Sequence, residues 1–421
     1  MFPLVGLRLY VRRLRAEIAR GPGKLLMGPS GRRIQALTNL RHRQSRRDFQ
    51  NYLANTFRFA PSRVERGDRV VLMEYNTIAS GHIAYAFWLD ALAQGGEAQL
   101  LPFRHAGIGP SLRTLSKFAG WPSDIYRAMG ARQIIRPRLR RAERGAVAAE
   151  GRHVCSQITS KDALVRLEVD GIRIGDLVYD DYLRKARRAT VDVKSQTFQK
   201  HFIKLYLLFH SWQRTFDEFD VVAVSASHWV YHLAFPLRIA LHRRIPAYLI
   251  HAGGGMRLTS DRMGWDRHVE YKRDFAEMTS TEQARAQQQG RQRLEARLRG
   301  DPDPALLTSS SSAFARLQDR TRVLLPTDRF KVLVATHSFF DSPHAVGELL
   351  FPDFYEWLHF IGRLSNSLDY EFYLKVHPDD VSGSSQIVEA VVRQYPLLLR
   401  IPPDISHHQI VSEGIGGALT V

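Results

Sequence analysis

The chain of 421 residues is about two to three times the usual single-domain length, so two domains are expected. Its 44% apolar and 24% charged residues are those of a globular protein and exclude wholesale disorder. A formal net charge of +18 favours anionic partners, and one cysteine, Cys155, excludes an internal disulfide or a thiolate metal cluster built from this chain alone.

The first 65 residues form a basic arm. Apolar residues from Phe2 to Ile18 interleave with Arg8, Arg12, Arg13, Arg15 and Arg20, and Glu17 and Asp48 are the only acids before Arg58. Wound as a helix, this stretch has an apolar side flanked by guanidinium groups, which suits an anionic membrane surface. A solvated arm packed on the domain and an organellar transit peptide are the other two readings. No stretch reaches the ~18–20 uninterrupted apolar residues of a bilayer span. A secretory signal is also absent from the N-terminal pattern.

From Arg69 strands and helices alternate. Arg69–Glu74 is short, apolar and β-branched, as in a buried parallel strand; a small-residue turn, a helix from His82 to about Leu92 and a second strand near Ala98–Leu101 follow. The logic repeats with a strand at Val221–Val224, a helix from about His228 to His242 and a strand at Pro246–Ile250. Parallel strands need crossover helices, so the fold class is α/β with doubly wound parallel sheets. Glu282–Arg299 reads as a charged, solvent-exposed helix; Gly300–Pro304 stops it and Ser309–Ser312 is of linker type. A second alternating domain then has strands at Lys331–Ala335 and Glu371–Val376, with an aromatic helix between them from Pro352 to about Leu364. Gly417–Val421 reads as a last parallel strand, so this second domain is expected to be incomplete. The divisions are 1–65, 66–325 and 326–421.

Open parallel sheets bind ligands beyond the carboxyl ends of their strands. Four groups lie there. Ser80, Gly81 and His82 open a helix, where amides favour an anion and the imidazole suits a base or phosphate contact. His251, Gly253, Gly254, Gly255 and Arg257 suggest an anion nest beside a fixed guanidinium. His337, Ser338 and His344 share a loop with Asp341, but their spacing fits no metal template. Lys375, His377 and Pro378 form the sharpest group: alternation puts Lys375 and His377 on one strand face, and proline ends the strand so that both cations meet a phosphate. Asp180 and Asp181, within Gly175–Arg184 and following an apolar strand, read either as including a general base or as a turn and helix cap.

Val334–His344, Leu350–Trp357 and Leu374–Pro378, with Gly171–Asp180 in support, resemble bacterial capsule and surface-polysaccharide biosynthesis proteins. That resemblance spans about Val70–Val421 and is strongest after Lys331. Such proteins are similar to GT-B glycosyltransferases, with two facing Rossmann-like domains. The Lys-x-His-Pro string also recurs in sialyl-, Kdo- and teichoic-acid-type transferases, at the nucleotide-donor site. The resemblance implies a nucleotide-sugar donor near Lys375 and His377, and a glycan or lipid-linked acceptor near His82 and residues 251–257. It implies no metal and no cofactor, with His82, then Asp180 or Asp181, as base, at the cytoplasmic membrane face. Polyol-phosphate transfer and an inactive, binding relative are the alternatives. Zinc-finger spacing, RRM aromatics and basic-zipper heptads are all lacking, so nucleic acid is not an expected partner.

Overall fold

The computed structural model describes residues 43–57, 63–75, 79–105, 123–251, 254–259, 271–301, 322–347, 349–376, 384–402 and 405–420. Most of the basic arm, including its amphipathic first stretch, lies outside these residues. The described chain is α/β, with two sheets containing parallel strands. It divides into two compact units, the first comprising residues 1–157, 168–174 and 199–263, and the second 158–167, 175–198 and 264–421. These bounds differ from the sequence expectation: residues 158–167 and 175–198 fall with the C-terminal strands, not with the N-terminal ones.

In chain order, the first unit contains α1 (Arg43–Thr56), β1 (Arg69–Glu74), α2 (Ala79–Gly96), β2 (Gln99–Phe103), α3 (Ser123–Ala128) and α4 (Arg141–Ser156). Next, α5 (Lys161–Val165) belongs to the second unit, the short hairpin β3 (Glu168–Val169) and β4 (Ile172–Arg173) to the first, and α6 (Gly175–Ala186) to the second. The first unit resumes along α7 (Gln196–Glu218), with β5 (Asp220–Ala226), a 3-10 turn at Tyr231–Ala234, α8 (Phe235–His242), β6 (Ala247–His251) and β7 (Gly254–Leu258).

Its sheet has the order β2-β1-β5-β6-β7, parallel except for β7, which pairs antiparallel with β6. Val71 and Met73 of β1, Ala223 of β5 and Tyr85 and Leu89 of α2 bury together on one face. Trp212 of α7 packs edge-on against Phe103 at 4.8 Å, and Phe209 meets Phe235 of α8 at 5.7 Å. The single helix expected over 228–242 is instead a 3-10 turn followed by α8. Tyr231 takes a left-handed φ of 57°, and Pro236, which has no amide hydrogen to donate, sits at the helix start where none is needed.

The second unit continues with α9 (Tyr271–Glu277), α10 (Ser280–Arg299), β8 (Phe330–Thr336), a 3-10 turn at Pro343–Val346, α11 (Phe354–Ser367), β9 (Tyr370–Val376), α12 (Ser384–Gln394), β10 (Leu398–Ile401), α13 (His407–Ser412) and β11 (Gly417–Thr420). Thr279 and Glu282 close a capping box on α10 and Gly300, at φ 93°, ends it; none of its residues is buried, as its charge pattern predicts. The sheet is wholly parallel, in the order β10-β9-β8-β11. Phe372, Leu374 and Val376 of β9 face the core that α11 and α12 close through Leu358, Ile361, Val388 and Val391. Tyr373 points to the opposite face, with Leu333, Ile401 and Ile410.

Candidate functional site

In the second unit the crossovers from β8 to β9 and from β9 to β10 run one way along the sheet, and the one from β10 returns past β8 to β11 on its other side. The carboxyl edge beside β8 is the place where such sheets take ligands. The loop that leaves it carries His337, Ser338 and His344. His337 is exposed, with its ring 5.7 Å from Phe354. Ser338 is half-buried. The next amide, Phe339 N–H, donates to Ser384 Oγ at the start of α12 (3.4 Å).

His344 is different. Its Nδ1 lies 2.6 Å from Asp180 Oδ1 and its own backbone N–H donates to Asp180 Oδ2 at 3.2 Å, so one carboxylate grips one residue twice. Both side chains are buried. The backbone is prepared for this contact by Ser342, which sits at a left-handed φ of 42° just before Pro343. Such strain in a non-glycine residue persists where surrounding contacts over-determine it.

α6 supplies the carboxylate. Residues 175–183 of this helix are all buried. Gly175 opens it because a Cβ there would stand 1.7 Å from the carbonyl oxygen of Leu164, so α5 and α6 pack only without a side chain. Asp176 and Asp180, four apart, share a helix face. Burial pushes the Asp180 carboxyl up to about 6; His344 opposes that shift and the Asp176 charge adds to it. Burial works against a charged His344, but Asp180, with Asp176 and Asp353 behind it, outweighs burial and raises the imidazole above its ordinary value.

A second network holds the next turn. Tyr179 OH donates to Asp353 Oδ2, as does Thr190 Oγ1 at 2.5 Å, and Lys161 Nζ donates to Thr190 Oγ1 at 2.5 Å and pairs with Glu356. Asp353 Oδ1 accepts from Glu356 N–H (2.9 Å) and so caps α11. Burial first, then the Asp353 carboxylate, keep the Tyr179 phenol protonated.

The structure therefore brings Asp180 and His344 together, although the sequence suggested a base for one and a donor contact for the other. Asp181 is buried one position along α6. Neither acid follows a strand: the run Gly175–Leu183 is helical, which its four-residue acid spacing permits equally well. Lys375 lies at the carboxyl end of β9, level with Ala335 and Ile401, but its side chain is only 2% exposed, on the Tyr373 face. Strand alternation fixes the face; it does not say whether that face is covered. His377 and Pro378 lie outside the described residues.

In the first unit, Ser80, Gly81 and His82 fall in the opening turn of α2, with side chains outside the described set. Two residues of the glycine group are strand residues. Gly254 and Gly255 belong to β7, paired with His251 and Ile250, and Arg257 is exposed opposite Tyr248. A Cβ on Gly255 would fall 2.4 Å from the Trp88 ring, so this glycine admits an indole against the backbone. Gly253 and the His251 side chain lie outside the described residues.

Sequence reasoning missed a cluster at the carboxyl ends of β1, β2 and β5. Glu74 Oε2 accepts from Ser227 N–H (2.6 Å), its Oε1 lies 3.3 Å from His105 Nε2, and Tyr126 OH donates to its carbonyl at 2.9 Å. Burial opposes ionisation of Glu74, yet His105 and Ser227 overcome it and hold the carboxyl down at about 2. Ser227 Oγ in turn meets His228 Nδ1 at 2.6 Å. The available signal was a carboxylate closing an otherwise apolar strand.

Among the described residues no group of three or more His, Cys, Asp or Glu is arranged to hold a metal ion, and no helix is long and apolar enough to cross a membrane. No family model and no curated protein matches the sequence.

Proposed function

We propose that the chain is a nucleotide-sugar-dependent glycosyltransferase acting on a surface-polysaccharide acceptor, glycan or lipid-linked, and built from two Rossmann-like units of GT-B type. The observation that carries this reading is the second sheet. Its order β10-β9-β8-β11 puts a topological switch point beside β8, and the His337–His344 loop, the end of β9 with Lys375, and the start of α12 all lie along that carboxyl edge. The resemblance of Leu374–Pro378 and its neighbours to donor-site sequences points to the same edge.

In this reading the acceptor hydroxyl attacks the anomeric carbon and the bond to the nucleotide phosphate breaks. The departing charge is met by Lys375, His377 and the amides opening α12. The hydroxyl proton passes to a general base. Asp180 and His344, both buried, are positioning residues that hold the 342–346 segment of the donor loop.

The test is nucleotide release by the full chain from a panel of UDP-, GDP-, dTDP- and CMP-sugars, with CDP-polyols alongside. Release from one class of nucleotide sugar, falling at least about 100-fold in Lys375→Met and in His377→Ala, is the expected result. Release from no nucleotide sugar, or unchanged rates in both variants, refutes the proposal; turnover of a CDP-polyol alone replaces it with polyol-phosphate transfer.

A further inference from the structure

A strip of arginines in the first unit is built against its own local electrostatics. Between α3 and α4 the chain runs extended and is fastened to the sheet: Ile135 bridges Phe103 in parallel, with Ile135 N–H donating to Pro102 O and Arg104 N–H to Ile135 O, both at 2.9 Å. Gln133 Nε2 ties the same stretch to Val64 O at 2.9 Å. On this fixed backbone Arg132, Arg136, Arg138, Arg140, Arg141 and Arg144 are all exposed.

Arg136, Arg138 and Arg140 are exposed and alternate with half-buried Pro137 and Leu139. Leu139 between them lines a cavity with His210 and Arg214. Arg141 and Arg144 stand in the first turn of α4, where the helix dipole already presents positive charge and a cation is disfavoured.

Among the described residues only Arg140 has acids beside it, sharing the cavity with Glu143, Asp217 and Glu218. Glu143 is the one acid in this stretch, and it is engaged by Arg214 Nη1 at 2.7 Å, with only a loose 3.9 Å approach to Arg140. Arg132, Arg136, Arg138, Arg141 and Arg144 pair with no carboxylate among the described residues. Like charges crowded on a rigid segment and at the wrong end of a helix do not help folding, which leaves an external anion as their purpose.

We propose that residues 132–144 form a docking surface for an anionic lipid bilayer. The strip is cationic and carries no aromatic residue, so it has none of the stacking platforms that hold single-stranded nucleic acid. Its complement is an array of phosphate headgroups engaged through charge alone. The inference does not depend on the proposed transferase activity.

The experiment is sedimentation of the full chain with vesicles of phosphatidylcholine containing about 30% phosphatidylglycerol, against pure phosphatidylcholine, at low and high salt. The wild type should bind only the anionic vesicles, and less at high salt. At about fivefold per arginine, Arg136→Gln/Arg138→Gln/Arg141→Gln should lower the partition coefficient about 100-fold. The corresponding triple lysine variant should keep it. A wild type that ignores anionic vesicles, or binds duplex DNA in their place, overturns the proposal. So does a glutamine variant that binds unchanged, since binding then comes from elsewhere in the chain, and so does a lysine variant that binds as poorly as the glutamine one.

Discussion

The Asp180–His344 pair makes the second unit sensitive to pH in a direction opposite to the usual carboxylate case. Raising Asp180 from 3.8 to about 6 favours its protonated form in the fold by about 3 kcal/mol. Its contribution is complete below pH 3.8 and is lost as pH rises through 6; that of His344 is complete below 6.5 and is lost as pH rises through its own elevated value. Both groups hold more protons folded than unfolded, so the pair weakens the fold steadily from about pH 4 to above 6.5. Asp180→Asn removes this titration. It still accepts one hydrogen bond from His344 but turns an amide group towards the second donor, at a cost of about 1 kcal/mol or more at low pH. The lead of the wild type over Asp180→Asn, measured by urea unfolding from pH 4 to pH 7, should therefore shrink by about 2–2.5 kcal/mol, since at pH 4 the unfolded carboxyl is already more than half ionised. Parallel profiles for the two proteins would show that the carboxyl titrates normally and that the buried grip on His344 is not as described.

Other expectations follow from the same packing. Gly175→Ala drives a Cβ into the Leu164 carbonyl and should cost about 3 kcal/mol or more in thermal unfolding, whereas Gly145→Ala, in the interior of α4 with nothing within 4 Å, should gain about 0.5–1 kcal/mol. A loss at Gly145 or neutrality at Gly175 would contradict this packing. Glu74, held at about 2 against an ordinary 4.5, contributes stability present above pH 4.5 and lost as pH falls through 2. Glu74→Gln should cost about 3 kcal/mol at pH 7 and progressively less below pH 4, read from denaturant midpoints.

Much of the fold is legible in the amino-acid order because buried parallel strands leave a strong mark. The runs at 69–74, 221–224, 331–335 and 371–376 are largely apolar and rich in β-branched or aromatic residues, and each lies in a strand. Local pattern fails where the deciding partner is remote. β7 begins with two glycines and looks like a turn; it is a strand because β6 offers it a ladder, and the Trp88 ring takes the space a side chain on Gly255 would fill. α6 carries three acids yet is buried, and the partner of one of them, Asp180, is His344, 164 positions later. Lys375 shows the limit for a candidate site: its strand and face follow from period-two alternation, while its burial depends on what covers that face.

The second unit is assembled from three separate stretches, 158–167, 175–198 and 264–421. α6 leaves the ribosome roughly 150 residues ahead of β8, a delay of about 8–30 s at ordinary elongation rates. Until then Asp180 lacks the imidazole of His344, while α5, made earlier, can already pack against the start of the helix. Cutting the gene at any single point would also strand part of one unit on the wrong fragment. Neither unit can therefore be obtained alone as one uninterrupted fragment of the chain.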